Sequence, residues 1–153
     1  FCQSFLSFRV QWSRENHRSP KRLLWENMAL DRIRFSQQAR DQLIKLKRQT
    51  GLNHWNTICR WAFCASLAEK TAPSSVTITL DSSLEMEWTT FGGEHHEIYL
   101  ALLKQRCVKD GLSTDTKTLS NQLRLHLHRG IGRLAADSKI SSIGSLISLG
   151  YEE

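Results

Sequence analysis

The sequence predicts a mainly α-helical fold with short β-strands, formed by a single domain. Its 153 residues, 40% hydrophobic and 24% charged, are typical of one globular unit. Four segments carry apolar residues at helical spacing, and shorter segments alternate or are rich in β-branched residues. No apolar run approaches the roughly 20 residues that a membrane-spanning helix needs, so no membrane contact is expected.

The first 27 residues differ in design from the rest of the chain. They carry two Trp residues without a sustained period, break at Ser19-Pro20, and are followed by Met28, where a regular pattern begins. Polar residues interrupt any apolar stretch of the about 7 to 15 residues that a secretory signal needs. We expect residues 1–27 to be a tag or upstream-translated segment, with a basic DNA-binding arm as the alternative. The single domain is then expected over residues 28–153.

A short segment after Met28 alternates with the period of a β-strand. Its faces carry Asp31, Ile33 and Phe35 on one side and Arg32, Arg34 and Ser36 on the other. A paired ribbon of such strands fits the major groove of DNA, where Arg binds guanine or holds a phosphate. Because two helices follow the strand, we expect a ribbon-helix-helix-like helical domain that contacts DNA through Arg32 and Arg34.

The first helix is predicted over residues 36–49. Ser36 is a suitable N-cap, and Gly51 ends the helix. The outer face of this helix is cationic and carries Arg40, Lys45, Lys47 and Arg48. We predict that this face contacts DNA phosphates, although cations near a helix C-terminus also interact favourably with the helix dipole.

The second helix, predicted over residues 53–69, is apolar nearly all round. Such a helix is buried, and in a small domain burial on every side usually requires a partner chain. We therefore predict a homo-oligomer interface formed by Trp55, Ile58, Cys59, Trp61, Ala62 and Phe63. The alternative is a central helix wrapped by its own chain.

An acidic segment separates the two halves of the chain. Residues 28–70 carry a net charge of +5, whereas residues 71–97 carry −5. We expect residues 75–80 and 85–88 to form two short strands that do not face DNA. A third helix is predicted over residues 94–110, and its inward residues are expected to be Ile98, Ala101, Leu102, Leu103 and Cys107.

The fourth helix, predicted over residues 118–137, has the clearest apolar stripe, formed by Leu119, Leu123, Leu127, Ile131 and Leu134. Its other side brings together Gln122, His126, Arg129 and Arg133. We expect Arg129 and Arg133 to form a second phosphate-binding patch. Gly130 and Gly132 indicate close packing or a bend, and residues 140–149 are expected to form a last short helix.

Catalytic and metal-binding residue types are not arranged to work together. In Glu94-His95-His96-Glu97, adjacent helical side chains point about 100° apart and do not converge. The sequence has no Walker loop, no Gly-x-Ser-x-Gly elbow and no Gly-x-Gly-x-x-Gly motif. We predict no enzymatic activity, no metal and no cofactor. The four cysteines form no Cys-x-x-Cys pair and are expected to be reduced core residues of an intracellular protein.

A set of residues between Met28 and Glu153 carries a family resemblance. The set consists of Arg32-Ile33-Arg34-Phe35-Ser36, the Leu43 to Lys47 segment, Thr50-Gly51-Leu52, Trp55-Asn56, Arg60, Phe91-Gly92-Gly93 and the Leu119 to Leu134 helix. With these residues the chain resembles the DndE family of bacterial DNA phosphorothioation. In these systems a desulfurase, a sulfur-transferring ATP pyrophosphatase and an ATPase replace a non-bridging phosphate oxygen of DNA with sulfur. The resemblance implies a tetrameric, cytoplasmic DNA-binding subunit that binds nicked double-stranded DNA and cooperates with those proteins.

Three other functions stay open at this point. A ribbon-helix-helix transcriptional regulator would read bases through Arg32 and Arg34 as a dimer. A nicking enzyme of the same system would need a metal ion and would use Glu94, His95 and Glu97. A scaffold would dock the acidic segment onto a basic partner and leave the lysines merely solvated.

Overall fold

The computed structural model describes residue 30 and residues 32–151, and the predicted tag or upstream segment 1–27 lies outside them. The described part contains two short strands and six α-helices, which confirms the mainly helical prediction. In chain order they are β1 (Arg32–Arg34), α1 (Gln37–Thr50), α2 (Trp55–Ala68), β2 (Glu85–Glu87), α3 (Trp88–Gly92), α4 (His96–Lys109), α5 (Thr116–Ala136) and α6 (Ile143–Leu149). A 3-10 turn, Gly93–His95, joins α3 to α4. No described helix is long and apolar enough to cross a membrane.

Helix α1 begins and ends at the residues that the sequence indicated. The Ser36 hydroxyl accepts a hydrogen bond from the backbone N–H of Ala39 at 3.1 Å, which satisfies one of the free donors of the first turn. Gly51 has a φ of 72°, a left-handed conformation that favours glycine, and its N–H donates to the Lys47 carbonyl. The inner face of α1 is buried, so its remaining face is directed outward.

Helix α2 lies in the core of its own chain and packs against α5, α1 and α3. Its fully buried apolar side chains are Ile58, Cys59, Ala62 and Phe63. The structure therefore shows the wrapped central helix, and the prediction that these four residues form an oligomer interface is wrong. The helices that pack around α2 enclose its apolar side chains without a second chain. Trp55 and Trp61 are half-buried and pack against the same core.

Helices α2 and α5 cross at Gly130. A Cβ atom at this position would lie 1.9 Å from the carbonyl oxygen of Ala62, so only glycine lets the two backbones approach this closely. The five-residue apolar stripe of α5 is buried as predicted. Gly132 has only the Gln42 side chain near it, at 3.9 Å. The predicted close packing is confirmed at Gly130 alone.

Strand β1 pairs with β2 of the same chain in antiparallel register. Ile33 lies opposite Met86, and both are buried on the inner face of the ribbon. The Phe35 N–H extends the pairing by donating to the Leu84 carbonyl at 3.2 Å. The ribbon is therefore built within one chain. Of the two strands predicted in the acidic segment, the one over residues 85–88 is confirmed as β2, whereas the one over residues 75–80 is wrong, because those residues have no regular secondary structure.

An aromatic cluster fixes the segment that follows the ribbon against α2. Phe91 lies 5.3 Å from Trp88 and 5.6 Å from Phe63, measured between ring centroids, and the Phe63 contact is edge-to-face. Tyr99 of α4 packs against both phenylalanines. Such pairs contribute beyond the area that they bury, so β2, α3 and α4 are held in place by one contact region.

Helix α4 is rotated relative to the prediction. Leu103 and Cys107 are buried as expected, but Ile98 and Leu102 are exposed by 57% and 38%, and Ala101 is exposed as well. The buried face of α4 contains Arg106, a residue that apolar periodicity cannot assign to a core. The last short helix was predicted correctly as α6.

The described cysteines are free. Cys59 and Cys107 are buried as expected, and burial raises the pKa of the Cys59 thiol to about 12. Cys64 is exposed, which corrects the expectation that it lies in the core.

Candidate nucleic-acid interface

The cations of α1 spread over its outer surface instead of forming one row. Successive helical residues are separated by about 100°, so Lys45 and Lys47 lie on opposite flanks and Arg48 lies between them. Lys45 and Arg48 are exposed, and Lys47 and Arg40 are half-buried. The outer face of α1 is therefore a broad cationic surface, and we use the name α1 surface for Arg40, Lys45, Lys47 and Arg48.

Both lysines of the α1 surface have partners that fix the positions of their ammonium groups. The Lys45 ammonium donates to the Ala135 carbonyl, at the end of α5, at 2.7 Å. The Lys47 ammonium lies 5.4 Å from the centre of the Trp55 ring, in a cation–π contact. An ammonium has three N–H donors, so each interaction leaves donors for a phosphate oxygen. These partners therefore hold the two ammonium groups at the flanks of α1 and leave them able to bind phosphate.

The ribbon presents Arg32 and Arg34 outward, as strand alternation predicted. Both side chains are exposed, by 54% and 61%. They do not stand alone, because the Glu85 carboxylate of β2 lies 3.0 Å from Arg32 and 3.5 Å from Arg34. The two arginines that were expected to contact DNA are thus also ion-paired with Glu85.

The second cationic patch, predicted on α5, is not a free surface. The guanidinium of Arg129 donates to the Ser66 hydroxyl at 2.8 Å, to the Ser66 carbonyl at 2.6 Å and to the Thr71 carbonyl at 2.9 Å. Arg133 forms an ion pair with Glu69. Arg129 therefore holds the C-terminal end of α2, and Arg133, exposed by 58%, pairs with Glu69 beside it. Both arginines have partners within the chain, and their role as phosphate ligands stays a prediction.

Arg106 of α4 completes this arrangement and was missed in the sequence. It is 5% exposed, and it donates to the carbonyls of Leu67 and Thr71 at 2.8 Å and to that of Glu69. Its Nε lies 2.7 Å from the Asp110 carboxylate, which balances the buried charge. The last carbonyls of a helix lack partners and carry partial negative charge, so guanidiniums stabilise them. The i, i+4 spacing from Arg106 to Asp110 was the only signal in the sequence.

A buried network lies beside this arginine cluster. Ser66 and His126 are fully buried, and the Ser66 hydroxyl lies 2.9 Å from Nδ1 of His126. Since Arg129 donates to the same hydroxyl, the hydroxyl hydrogen is free to be donated to Nδ1. Burial and the nearby Arg129 and Arg106 lower the pKa of His126 to about 4. His126 is therefore a neutral structural residue, which corrects its place in the cationic patch together with the buried Gln122.

His128 connects α5 to the start of α1. Its Nε2 accepts the backbone N–H of Ser36 at 3.1 Å, and its Nδ1 donates to the Arg124 carbonyl at 2.8 Å. Burial lowers the pKa of His128, which favours the neutral ring that this pattern requires. His126 and His128, two residues apart on one helix, point in different directions and therefore serve different partners.

The acidic segment binds the other side of the α1 start. The Asp81 carboxylate accepts the Gln37 N–H at 2.7 Å, and the Ser82 hydroxyl donates to the Phe35 carbonyl at 2.8 Å. These hydrogen bonds place residues 81–87 directly beside the ribbon and the first turn of α1. Within the described residues, no three His, Cys, Asp or Glu side chains lie close enough to hold a metal ion.

The described chain is thus a small helical protein with an in-chain ribbon and a cationic surface on α1. A family model described as "DNA sulphur modification protein DndE" matches residues 32–142. The match spans more than half of the sequence, so the chain belongs to the DndE family.

Two solved structures are similar to this one. A crystal structure of DndE from Escherichia coli B7A, described as involved in DNA phosphorothioation modification, is 30% identical with a TM-score of 0.57, and the match covers 68% of this chain and 95% of that one. A DndE mutant with two glycines replaced by lysine, described as involved in DNA phosphorothioation, is 28% identical with a TM-score of 0.54, covering 70% and 98%. No curated protein matches the chain.

Proposed function

We propose that this protein is a DNA-binding accessory subunit of the DNA phosphorothioate modification system. In this role it binds double-stranded DNA, nicked duplex included, through the α1 surface and cooperates with the sulfur-transfer proteins in the bacterial cytoplasm. Membership of the DndE family supports the pathway. The single observation that supports DNA binding is the outward projection of Lys45, Lys47 and Arg48 from a helix whose other face is buried.

The proposed contacts are with the phosphate backbone. Ammonium and guanidinium groups that neutralise phosphates release counterions, so their affinity depends steeply on salt and carries little sequence information. A nick adds backbone flexibility and a terminal phosphate, both of which allow closer approach of separated cations to phosphate oxygens.

We also propose that the working form is a homo-oligomer, with the tetramer that family resemblance implies. Several copies would present several α1 surfaces to one duplex, and linked weak sites bind far more tightly than single ones. The exposed apolar side chains of α4 support an association of this kind, because Ile98 and Val108 are exposed by 57% and 66%. We also propose that the protein itself catalyses no reaction.

The function is tested by binding of matched intact, nicked and single-stranded DNA at two or more salt concentrations. We expect nicked duplex to bind best, and the combined variant Lys45→Gln, Lys47→Gln, Arg48→Gln to bind about tenfold or more weakly at low salt. The slope of log affinity against log salt should become shallower by about 0.9 for each phosphate that the variant no longer neutralises.

The matched control replaces three exposed lysines elsewhere by Gln, in the combined variant Lys70→Gln, Lys109→Gln, Lys117→Gln. It makes the same change in net charge, so it separates a local interaction from general attraction. If no DNA form binds, or if the affinity of the control falls as far as that of the α1 variant, the protein is better understood as a scaffold for its partners.

A further inference from the structure

The outward face of the ribbon carries as many carboxylates as guanidiniums. In the antiparallel register, Arg32 lies opposite Glu87 and Arg34 lies opposite Glu85. All four residues are exposed, whereas Ile33 and Met86 are buried beneath them. A face that looked cationic in the β1 sequence alone is therefore neutral once β2 is paired with it.

Glu85 contacts both arginines at once. Its Oε1 accepts from the Arg32 guanidinium at 3.0 Å, and its Oε2 lies 3.5 Å from Nε of Arg34. Arg34 is its direct cross-strand neighbour and Arg32 its diagonal neighbour, which are the two positions that a side chain on a ribbon can reach. A phosphate group would bind these guanidiniums in the same way, with separate oxygens on separate arginines.

Glu85 is held beside the arginines by the backbone around it. The Phe35 N–H donates to the Leu84 carbonyl, and the Ser82 hydroxyl links Phe35 to the N–H of Leu84. The carboxylate is therefore carried on a strand that is fixed to β1 and does not merely approach it from a loose loop. Its side chain is still 42% exposed, so a competing anion can reach the same guanidiniums.

We propose that Glu85 is a built-in competitor for DNA phosphate that masks Arg32 and Arg34. With Glu85 in place, DNA affinity comes from the α1 surface, and the ribbon contributes only where a phosphate displaces the carboxylate. This proposal rests on the proposed DNA-binding function and deepens it, because it names the residue that sets how far the ribbon takes part. A simple surface ion pair, in contrast, contributes little to stability and would leave DNA binding unaffected.

The test is the variant Glu85→Gln, which keeps the shape and removes the charge. We expect its affinity for duplex DNA to rise several-fold, up to about tenfold at low salt, and the salt slope to steepen by up to about 1.8 if two more phosphates are neutralised. The combination Arg32→Gln, Arg34→Gln should change wild-type binding little but should abolish the whole increase produced by Glu85→Gln. The matched control is Glu97→Gln, an exposed acid of the same acidic segment.

The possible outcomes distinguish failure of this proposal from failure of the proposed DNA-binding function. If the wild type binds DNA and Glu85→Gln binds equally well, the proposal that Glu85 masks the arginines is wrong, and the proposed DNA-binding function is retained. If Glu97→Gln raises the affinity as much, net charge alone is responsible and the mask is again wrong. If neither the wild type nor Glu85→Gln binds DNA, both proposals fail. Thermal unfolding of each variant confirms that the folded protein is compared.

Discussion

Arg129 and Lys45 show how two cations of equal charge differ in what they can bind. All three nitrogens of the Arg129 guanidinium donate to Ser66 and Thr71. Lys45 uses one donor on the Ala135 carbonyl and keeps its charge at the exposed edge of α1. Helical periodicity placed both residues on polar helix faces correctly. It could not show what lies across from each face, because the Ser66 partner of Arg129 is 63 residues away in the chain.

The buried His126 leads to a prediction on acid stability. Its pKa is about 4 in the folded chain, below the ordinary 6.5, so the unfolded chain binds an extra proton between these values. The free energy of unfolding should therefore fall as the pH falls from about 6.5 to about 4, by at most about 1.4 kcal/mol per pH unit for this one group. Urea unfolding at a series of pH values measures this slope.

The comparison variant is His126→Asn, which keeps an acceptor for the Ser66 hydroxyl and does not titrate. Its unfolding free energy should depend less on pH across the same window, whatever its absolute stability. His128, whose pKa is also lowered by burial, accounts for part of the slope that remains. Parallel curves for wild type and variant would show that His126 does not carry the effect.

At the scale of elements, the helices were predictable and their mutual placement was not. Helical spacing located α1, α2, α4 and α5 to within a few residues, because each buries a periodic apolar face. The strand predicted over residues 75–80 is wrong because β-branched residues favour a strand only when a partner strand is available. The acidic segment instead pairs with β1 through residues 85–87. Long-range packing determines this pairing, and the local sequence gives no information about it.

The crossing of α2 and α5 leads to a prediction with an internal control. Gly130→Ala should destabilise the protein by about 2 kcal/mol or more, because its Cβ would overlap the Ala62 backbone. Gly132→Ala should be neutral or stabilising by about 0.5–1 kcal/mol, because alanine favours a helix and space is open there. Chemical denaturation of both variants checks this, and equal effects at the two positions would contradict the crossing geometry.

At the scale of the molecule, opposite charges meet within the fold. Residues 28–70 and 71–97 carry net charges of +5 and −5, and the structure brings part of each together at the ribbon. Composition predicted a basic surface and an acidic one, and on the α1 surface Lys45 and Arg48 are exposed while Arg40 and Lys47 are half-buried. The neutral ribbon face could not be anticipated, because the charges that cancel there lie 53 residues apart.

The proposed oligomer leads to a prediction on mass. Sedimentation should show a species of about four times the 17.6 kDa chain mass that dissociates on dilution. Replacing the exposed Ile98 and Val108 by Glu should lower this mass and weaken DNA binding together, because the variant disrupts apolar association and with it multivalency. A monomer at all concentrations would contradict the tetramer, and a tetramer unaffected by the variant would place the interface elsewhere.

The pairing of β1 with β2 also affects the order in which the chain folds. The strands are three residues long and are joined through a loop that contains α1 and α2, so the ribbon forms only after that loop has closed. Its side chains Ile33, Phe35 and Met86 are buried in the core, so the ribbon opens only together with part of that core. Closure of the ribbon therefore completes the core and, in the same step, brings Glu85 to the two guanidiniums.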